Sequence, residues 1–203
     1  MNDDRIRLQT AFLTESDKLK SILRRTLLAD GSRRENTAEH SWHILLTAMV
    51  LREYAAEPVN FARVLEILAV HDLVEIDADD TFAYDRAANR TRADRERLAA
   101  DRLYGMLPGD LGAELRSLWE EFEGGETPEA RFAHAVDRFQ ALLQNLATGG
   151  GTWRLYRPTR EQVLERMEAV RIALPALWPF VHASVLKHVP GGAEASGGPD
   201  EKP

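Results

Sequence analysis

The sequence predicts an all-α fold in one domain. Three observations carry that expectation. Apolar residues recur at helical spacing along almost the whole chain, and no alternating run marks a strand. Helix start and stop signals punctuate the pattern repeatedly. One segment, residues 61–76 (FARVLEILAVHDLVEI), is apolar on most faces and therefore belongs at the centre of a helical bundle.

The elements follow in order. Thr14 or Ser16 can cap a first helix through Leu19, Ile22, Leu23 and Leu27, stopped by Asp30-Gly31. After a polar loop, Asn36 with Glu39 three residues later forms a capping box. It opens a second helix to about Tyr54, carrying Trp42, Ile44, Leu45, Ala48, Met49 and Leu51. Pro58-Val59-Asn60 breaks the chain, and the third, central helix runs from about Phe61 to Ile76. Residues 77–92 are polar and lack periodicity, so a loop is expected there. Two further helices are expected over 92–106 and 110–123, closed by Pro108-Gly109 and Gly124-Gly125. Thr127 as N-cap and Pro128 as first helical residue open a long helix to Ala147, which the glycines at 149–151 end. Thr159 with Gln162 caps the next, and Pro175 separates it from a last amphipathic stretch to about His188. The expected organisation is an N-terminal segment (1–16), one domain (17–189) and a disordered tail (190–203).

Composition narrows the function. The 203 residues suffice for one sizeable core, with 44% apolar and 29% charged residues, ordinary for a globular protein. A net charge of −7 argues against a general basic surface for long nucleic acids. The absence of cysteine excludes disulfides, thiolate metal sites and cysteine nucleophiles, and fits a reducing compartment. The N-terminus lacks the apolar core of a signal peptide, and no window approaches the ~18 apolar residues of a membrane span. A cytoplasmic protein is expected.

The chemistry lies in a His-Asp pair, His71-Asp72, inside the central apolar segment. Burying an imidazole and a carboxylate there is costly unless something compensates. A divalent metal does so, because imidazole nitrogen and carboxylate oxygen are both good ligands. His40, in the first turn of the second helix, and Asp137, in the apolar long helix, suit the same role. Glu75 lies four residues after His71, so a continuous helix puts it on the same face. Two imidazoles and two carboxylates suit Mn, Co, Fe or Zn, with Mg also admitted, better than Ca. Singly, each residue has an ordinary explanation: a core histidine bonded to a carbonyl, a carboxylate paired with Arg138, a helix-start residue. Together they point to one metal centre. His43, three residues from His40, is its nearest rival; His134, His182 and His188 read as structural or surface residues.

With these residues in view, the chain resembles the HD-domain metal-dependent phosphohydrolases, whose signature is His…His-Asp…Asp, and within them the 5′-deoxynucleotidase-like branch. The matching text is LKSILR, RRENTAEHSWH, AVHDLVEIDADD and LWEEFEGGETPEARFAHAVDRFQALLQN, spanning roughly residues 17–175. The resemblance implies a single HD-domain helical bundle with a metal site between central helices. It implies metal ligands at His40, His71, Asp72 and Asp137, with Glu75 and Asp80 near the phosphate or a second metal. It also implies an arginine on the substrate phosphate. Alignment from LKSIL selects Arg24, and counting back from His40 selects Arg25; Arg33 is a further candidate. The aromatic residue that follows this arginine in some relatives is replaced here by Thr26-Leu27. The implied reaction is metal-dependent hydrolysis of a (deoxy)nucleoside 5′-monophosphate, with Asp72 and Glu75 in the catalytic centre and a homodimer as the assembly. Two alternatives stay open: hydrolysis of a triphosphate or an alarmone, and a non-catalytic nucleotide-binding module stapled by the metal.

Overall fold

A computed structural model describes residues 3–80 and 90–190. The chain folds as a helical bundle: α1 (Asp3–Ser16), α2 (Thr37–Leu51), α3 (Phe61–Val70), α4 (Glu75–Ala78), α5 (Arg92–Tyr104), α6 (Gly109–Gly124), α7 (Pro128–Ala147), α8 (Gly151–Tyr156), α9 (Arg160–Arg166), α10 (Glu168–Ala173) and α11 (Trp178–His188). The long α7 is the axis. It packs against α2, α3, α6 and α10, and Phe132, Ala133, Val136, Phe139 and Leu142 supply its apolar face. No described helix is long and apolar enough to cross a membrane.

Local chemistry sets the boundaries. The Asn36 side chain accepts from the Glu39 amide while the Glu39 carboxylate accepts from the Asn36 amide, so the capping box starts α2. Thr127 caps α7 through the Ala130 amide with Pro128 at its first position, and Thr159 with Gln162 caps α9. Gly125, at φ +63°, ends α6 in the left-handed conformation that glycine adopts without steric cost. Helices α5 and α6 close the core with Ala99, Ala100, Leu103, Leu118, Trp119 and Phe122.

Four elements differ from the sequence expectation: α8 was not expected, the helix after Thr159 is split into α9 and α10, and two differences lie near the site. The expected helix from Thr14 or Ser16 to Leu27 does not form. The helix lies earlier, at Asp3–Ser16, followed by a 3₁₀ turn over Asp17–Ser21 and an antiparallel pair, β1 (Leu23–Leu27) with β2 (Arg34–Asn36). Along β1 burial alternates: Arg24 and Thr26 face inward, Leu23 and Arg25 outward. A period of two with a β-branched Thr, feeding a loop with Gly31 at φ +71°, is hairpin chemistry. It was hidden because Leu19, Ile22, Leu23 and Leu27 also fit a helical stripe.

The central helix also stops early. α3 ends at Val70, residues 71–74 form tightened i→i−3 turns, and α4 starts at Glu75. The Val70 carbonyl accepts from the Tyr104 hydroxyl at 3.2 Å and from the Leu73 amide at 3.2 Å. Glu75 is thus not on one continuous helix with His71. The expected disordered tail falls almost wholly outside the described residues, as do residues 81–89 of the expected loop at 77–92; residues 77–78 of that loop belong to α4.

A candidate metal centre between the central helices

Three elements and the strand bring the predicted residues together. α2 carries His40, the end of α3 carries His71 and Asp72, α7 carries Asp137, and β1 carries Arg24. The two imidazole rings lie 5.7 Å apart, centroid to centroid. His40 Nε2 is 3.1 Å from Asp137 Oδ1 and 3.7 Å from Asp72 Oδ2, and His71 Nε2 is 3.0 Å from Asp72 Oδ2.

The proton positions follow from the partners. His71 Nδ1 lies 2.9 Å from the Leu68 carbonyl, which only accepts, so Nδ1 carries the hydrogen. His40 Nδ1 faces Gln140 Oε1 at 3.0 Å. The Gln140 amide nitrogen donates to buried Glu35 at 3.1 Å and faces His43 Nδ1 at 3.0 Å, which fixes which end of the amide meets His40. With the hydrogen on Nδ1, an unprotonated Nε2 of either ring points its lone pair at a carboxylate. Both Nε2 atoms are buried without a hydrogen-bond partner among the described residues. Electron-rich nitrogen and oxygen at 3.0–3.1 Å repel unless a cation or an added proton stands between them. Among the described residues, His40, His71 and Asp72 can offer ligand atoms within 4.8 Å of one another; Asp137 is not in that group and reaches the cluster through His40. The donor set fits a borderline divalent ion, with each Nδ1–H anchored as metal-binding histidines are.

Charge interactions act in the same sense. Burial opposes ionisation of Asp72, but His71, Arg24 and His40 outweigh it and hold the carboxyl below its ordinary range. Burial likewise opposes Asp137, and the adjacent His40, with Arg24 and His71, pulls it well below that range. Burial would lower the His71 pKa, but Asp72 keeps it above the usual value. Glu75 goes the other way: burial, then the Asp72 charge, raises its carboxyl well above the usual range, while Thr37 Oγ1 donates to its Oε2 at 2.9 Å. Asp80 is raised as well, by burial first.

Arg24 sits amid the carboxylates. Its Nη1 donates to Asp72 at 2.9 Å and lies 4.0 Å from Asp80, its Nη2 is 3.9 Å from Asp137, and its Nε is 3.8 Å from Glu35. Arg25 and Arg33 are elsewhere. Arg25 points from the other face of β1 toward the Tyr156 ring, 6.0 Å from its centroid, and Arg33 pairs with Glu39 at 2.6 Å on the surface. A cavity of about 250 Å³ opens beside the cluster, lined by carboxylates that include Asp72, Glu75, Asp80, Glu123 and Asp137 and by Arg24, Arg92, Arg138 and Arg166. Phe122 packs between His71 and His134 at its edge, with centroids at 4.9 and 4.2 Å.

Sequence reasoning passed over Glu35, Thr37, Gln140 and Gln144. Gln140 and Gln144 donate to the same Glu35 oxygen at 3.1 and 2.6 Å. Their signal was present: Asp137, Gln140 and Gln144 are i, i+3 and i+7 on the buried face of α7, a polar stripe where apolar residues belong.

A family model of the HD domain matches residues 16–178. The chain belongs to the HD-domain family. Its fold is similar to that of a predicted metal-dependent phosphohydrolase from Magnetospirillum magnetotacticum, at 48% identity and a TM-score of 0.88 over 93% of this chain and 94% of that one. A Pyrococcus furiosus protein at 21% identity, covering 86% of this chain and 98% of that one, shares the HD-type fold with a TM-score of 0.62. Among curated proteins it is similar to 5′-deoxynucleotidase HDDC2 of Mus musculus, 31% identical over 54% of each chain. The human HDDC2 protein is 30% identical over 55% of this chain and 53% of its own. The chain spans about half the length of the curated relatives it matches.

Proposed function

We propose that this HD-domain protein is a metal-dependent phosphohydrolase that removes the 5′-phosphate from (deoxy)nucleoside monophosphates. The observation that carries the reading is the pair of buried imidazole Nε2 atoms, unpartnered and aimed at two carboxylates beside a cavity. The names of the relatives support the reaction and the substrate class. His40, His71, Asp72 and Asp137 are the residues that would hold the ion. A divalent ion there supplies Lewis acidity toward a phosphoryl oxygen and an ionised water near neutral pH. The chain does the rest. Leu68 and Gln140 hold both imidazoles in the ligating tautomer, and Arg24 balances the carboxylates. Glu75, whose carboxyl burial raises well above the usual range, would give a proton to the leaving oxygen. Asp80 orients Arg24 from the far side or joins Glu75 at a second ion. The lack of cysteine supports a cytoplasmic setting, and the family resemblance a homodimer.

The test is phosphate release from chelated protein given Mn or Co, with deoxynucleoside monophosphates, triphosphates, an alarmone and single-stranded DNA side by side. Release from monophosphates alone is the expected result. Cleavage of another substrate with monophosphates untouched overturns the substrate. Metal binding without turnover of any of them leaves a stapled binding module.

A further inference from the structure

The arginines that line the cavity differ in how their charges are met. Arg24 is surrounded by Asp72, Asp80, Asp137 and Glu35, all within 4.0 Å. Its Nη1 donates to Asp72, while its Nε is buried without a hydrogen-bond partner among the described residues. Three more arginines from three helices line the cavity: Arg92 in α5, Arg138 in α7 and Arg166 in α9. Arg92 is engaged, donating from Nε to Glu96 at 2.6 Å with Glu123 3.8 Å from its Nη2. Arg138 and Arg166 are not: among the described residues neither makes a hydrogen bond or an ion pair, and Arg138 Nε is buried without an acceptor. Asp137 precedes Arg138 in α7, but consecutive helical side chains diverge by about 100°, so Asp137 turns to His40 rather than to Arg138.

Among the described residues, neither of these two guanidinium groups has an ion pair, although Glu123 lines the same cavity, and such charges lower stability unless an anion joins them. Guanidinium is planar and bidentate, and its geometry matches a phosphoryl group. We infer that Arg138 and Arg166 form a clamp for the substrate's phosphoryl oxygens, in addition to Arg24, which lines the same cavity. The inference rests on the phosphohydrolase reading for the identity of the anion. It adds α7 and α9 to the phosphate contact that resemblance put on the first strand.

The experiment uses the full chain and inorganic phosphate as probe. Phosphate binding is measured calorimetrically on chelated and on Mn-loaded protein for wild type, Arg138→Gln, Arg166→Gln and Arg138→Lys, with KM and kcat for a deoxynucleoside monophosphate alongside. Each Gln variant is expected to weaken phosphate binding and raise KM by about tenfold or more, the scale of one charge-assisted bond, with Arg138→Lys between. Arg166→Gln, at the end of a short helix, keeps the test open if Arg138→Gln misfolds. If the wild type hydrolyses no nucleotide yet the Gln variants lose phosphate binding, the clamp stands and the substrate reading fails. Wild-type phosphate affinity and KM in folded Gln variants would overturn the clamp.

Discussion

Replacing Gln140 by Leu removes the group that holds His40 in register, at nearly unchanged side-chain volume. Gln140 accepts from His40 Nδ1–H at 3.0 Å and donates to Glu35 at 3.1 Å. All three side chains are buried, so water does not restore either bond. Leaving the His40 donor unmet costs ~1–3 kcal/mol, and losing a bond to a charged acceptor costs ~1.5–3 kcal/mol. Gln144 still donates to the same Glu35 oxygen at 2.6 Å, which keeps the second cost toward its lower end. The expected loss is therefore ~2.5–4.5 kcal/mol, or a fall in melting temperature of roughly 5–18 °C at ~2–4 °C per kcal/mol for a domain of this size. His40 also becomes free to turn or change tautomer, and loss of such an anchor costs ~10–100-fold in metal affinity. Thermal melts with chelator, followed by calorimetric titration with Mn, separate the two effects. Unchanged melting and unchanged Mn affinity would refute the reasoning, because the network would then be neither holding the fold nor fixing the imidazole.

Three further outcomes follow from the same geometry. Burial pushes the His134 imidazole down to about 4 from an ordinary 6.5, while its Nε2–H donates to the Phe122 carbonyl at 2.7 Å. The unfolded chain binds the proton first, so this contribution is complete above pH ~6.5 and falls by ~3 kcal/mol as pH drops toward ~4; urea melts across pH should show this slope diminished in His134→Gln, and an identical slope would refute it. Mn at ~100 times its dissociation constant should add ~2.7 kcal/mol and raise the melting temperature by ~5–11 °C. Asp137→Ala should abolish that rise, and an equal rise in the variant would remove Asp137 from the ligand set. Glu75→Gln should bind Mn as wild type does but lose ~100-fold or more in kcat, the scale for an acid–base group; near wild-type turnover would make Glu75 a structural carboxylate.

What could be read from the sequence, and what could not, has physical causes. Helices with strong local signals were legible nearly to the residue, as at Asn36-Glu39 and Thr127-Pro128, because caps are short-range chemistry. The β1–β2 hairpin was not, since five residues with leucines at both ends satisfy either period and only pairing with Arg34–Asn36 decides. The break after Val70 was hidden in an apolar run; it depends on Tyr104, which is remote in sequence and donates to the released carbonyl. His40, His71, Asp72 and Asp137 stood out as polar groups in apolar helices, and the fold draws them into one cluster. Arg24 and Arg25 were indistinguishable until strand alternation turned one inward and the other outward. That Arg138 and Arg166 lack a partner among the described residues is a property of three-dimensional packing, with no counterpart in the linear order.

The central claim is that His40, His71, Asp72 and Asp137 hold one divalent ion. Anomalous diffraction from crystals soaked with Zn tests it most directly. The expected result is a peak ~2.0–2.2 Å from both Nε2 atoms and from an oxygen of each carboxylate, the range of zinc–ligand bonds. A fully loaded crystal with its peak elsewhere, or with none between these four side chains, would contradict it.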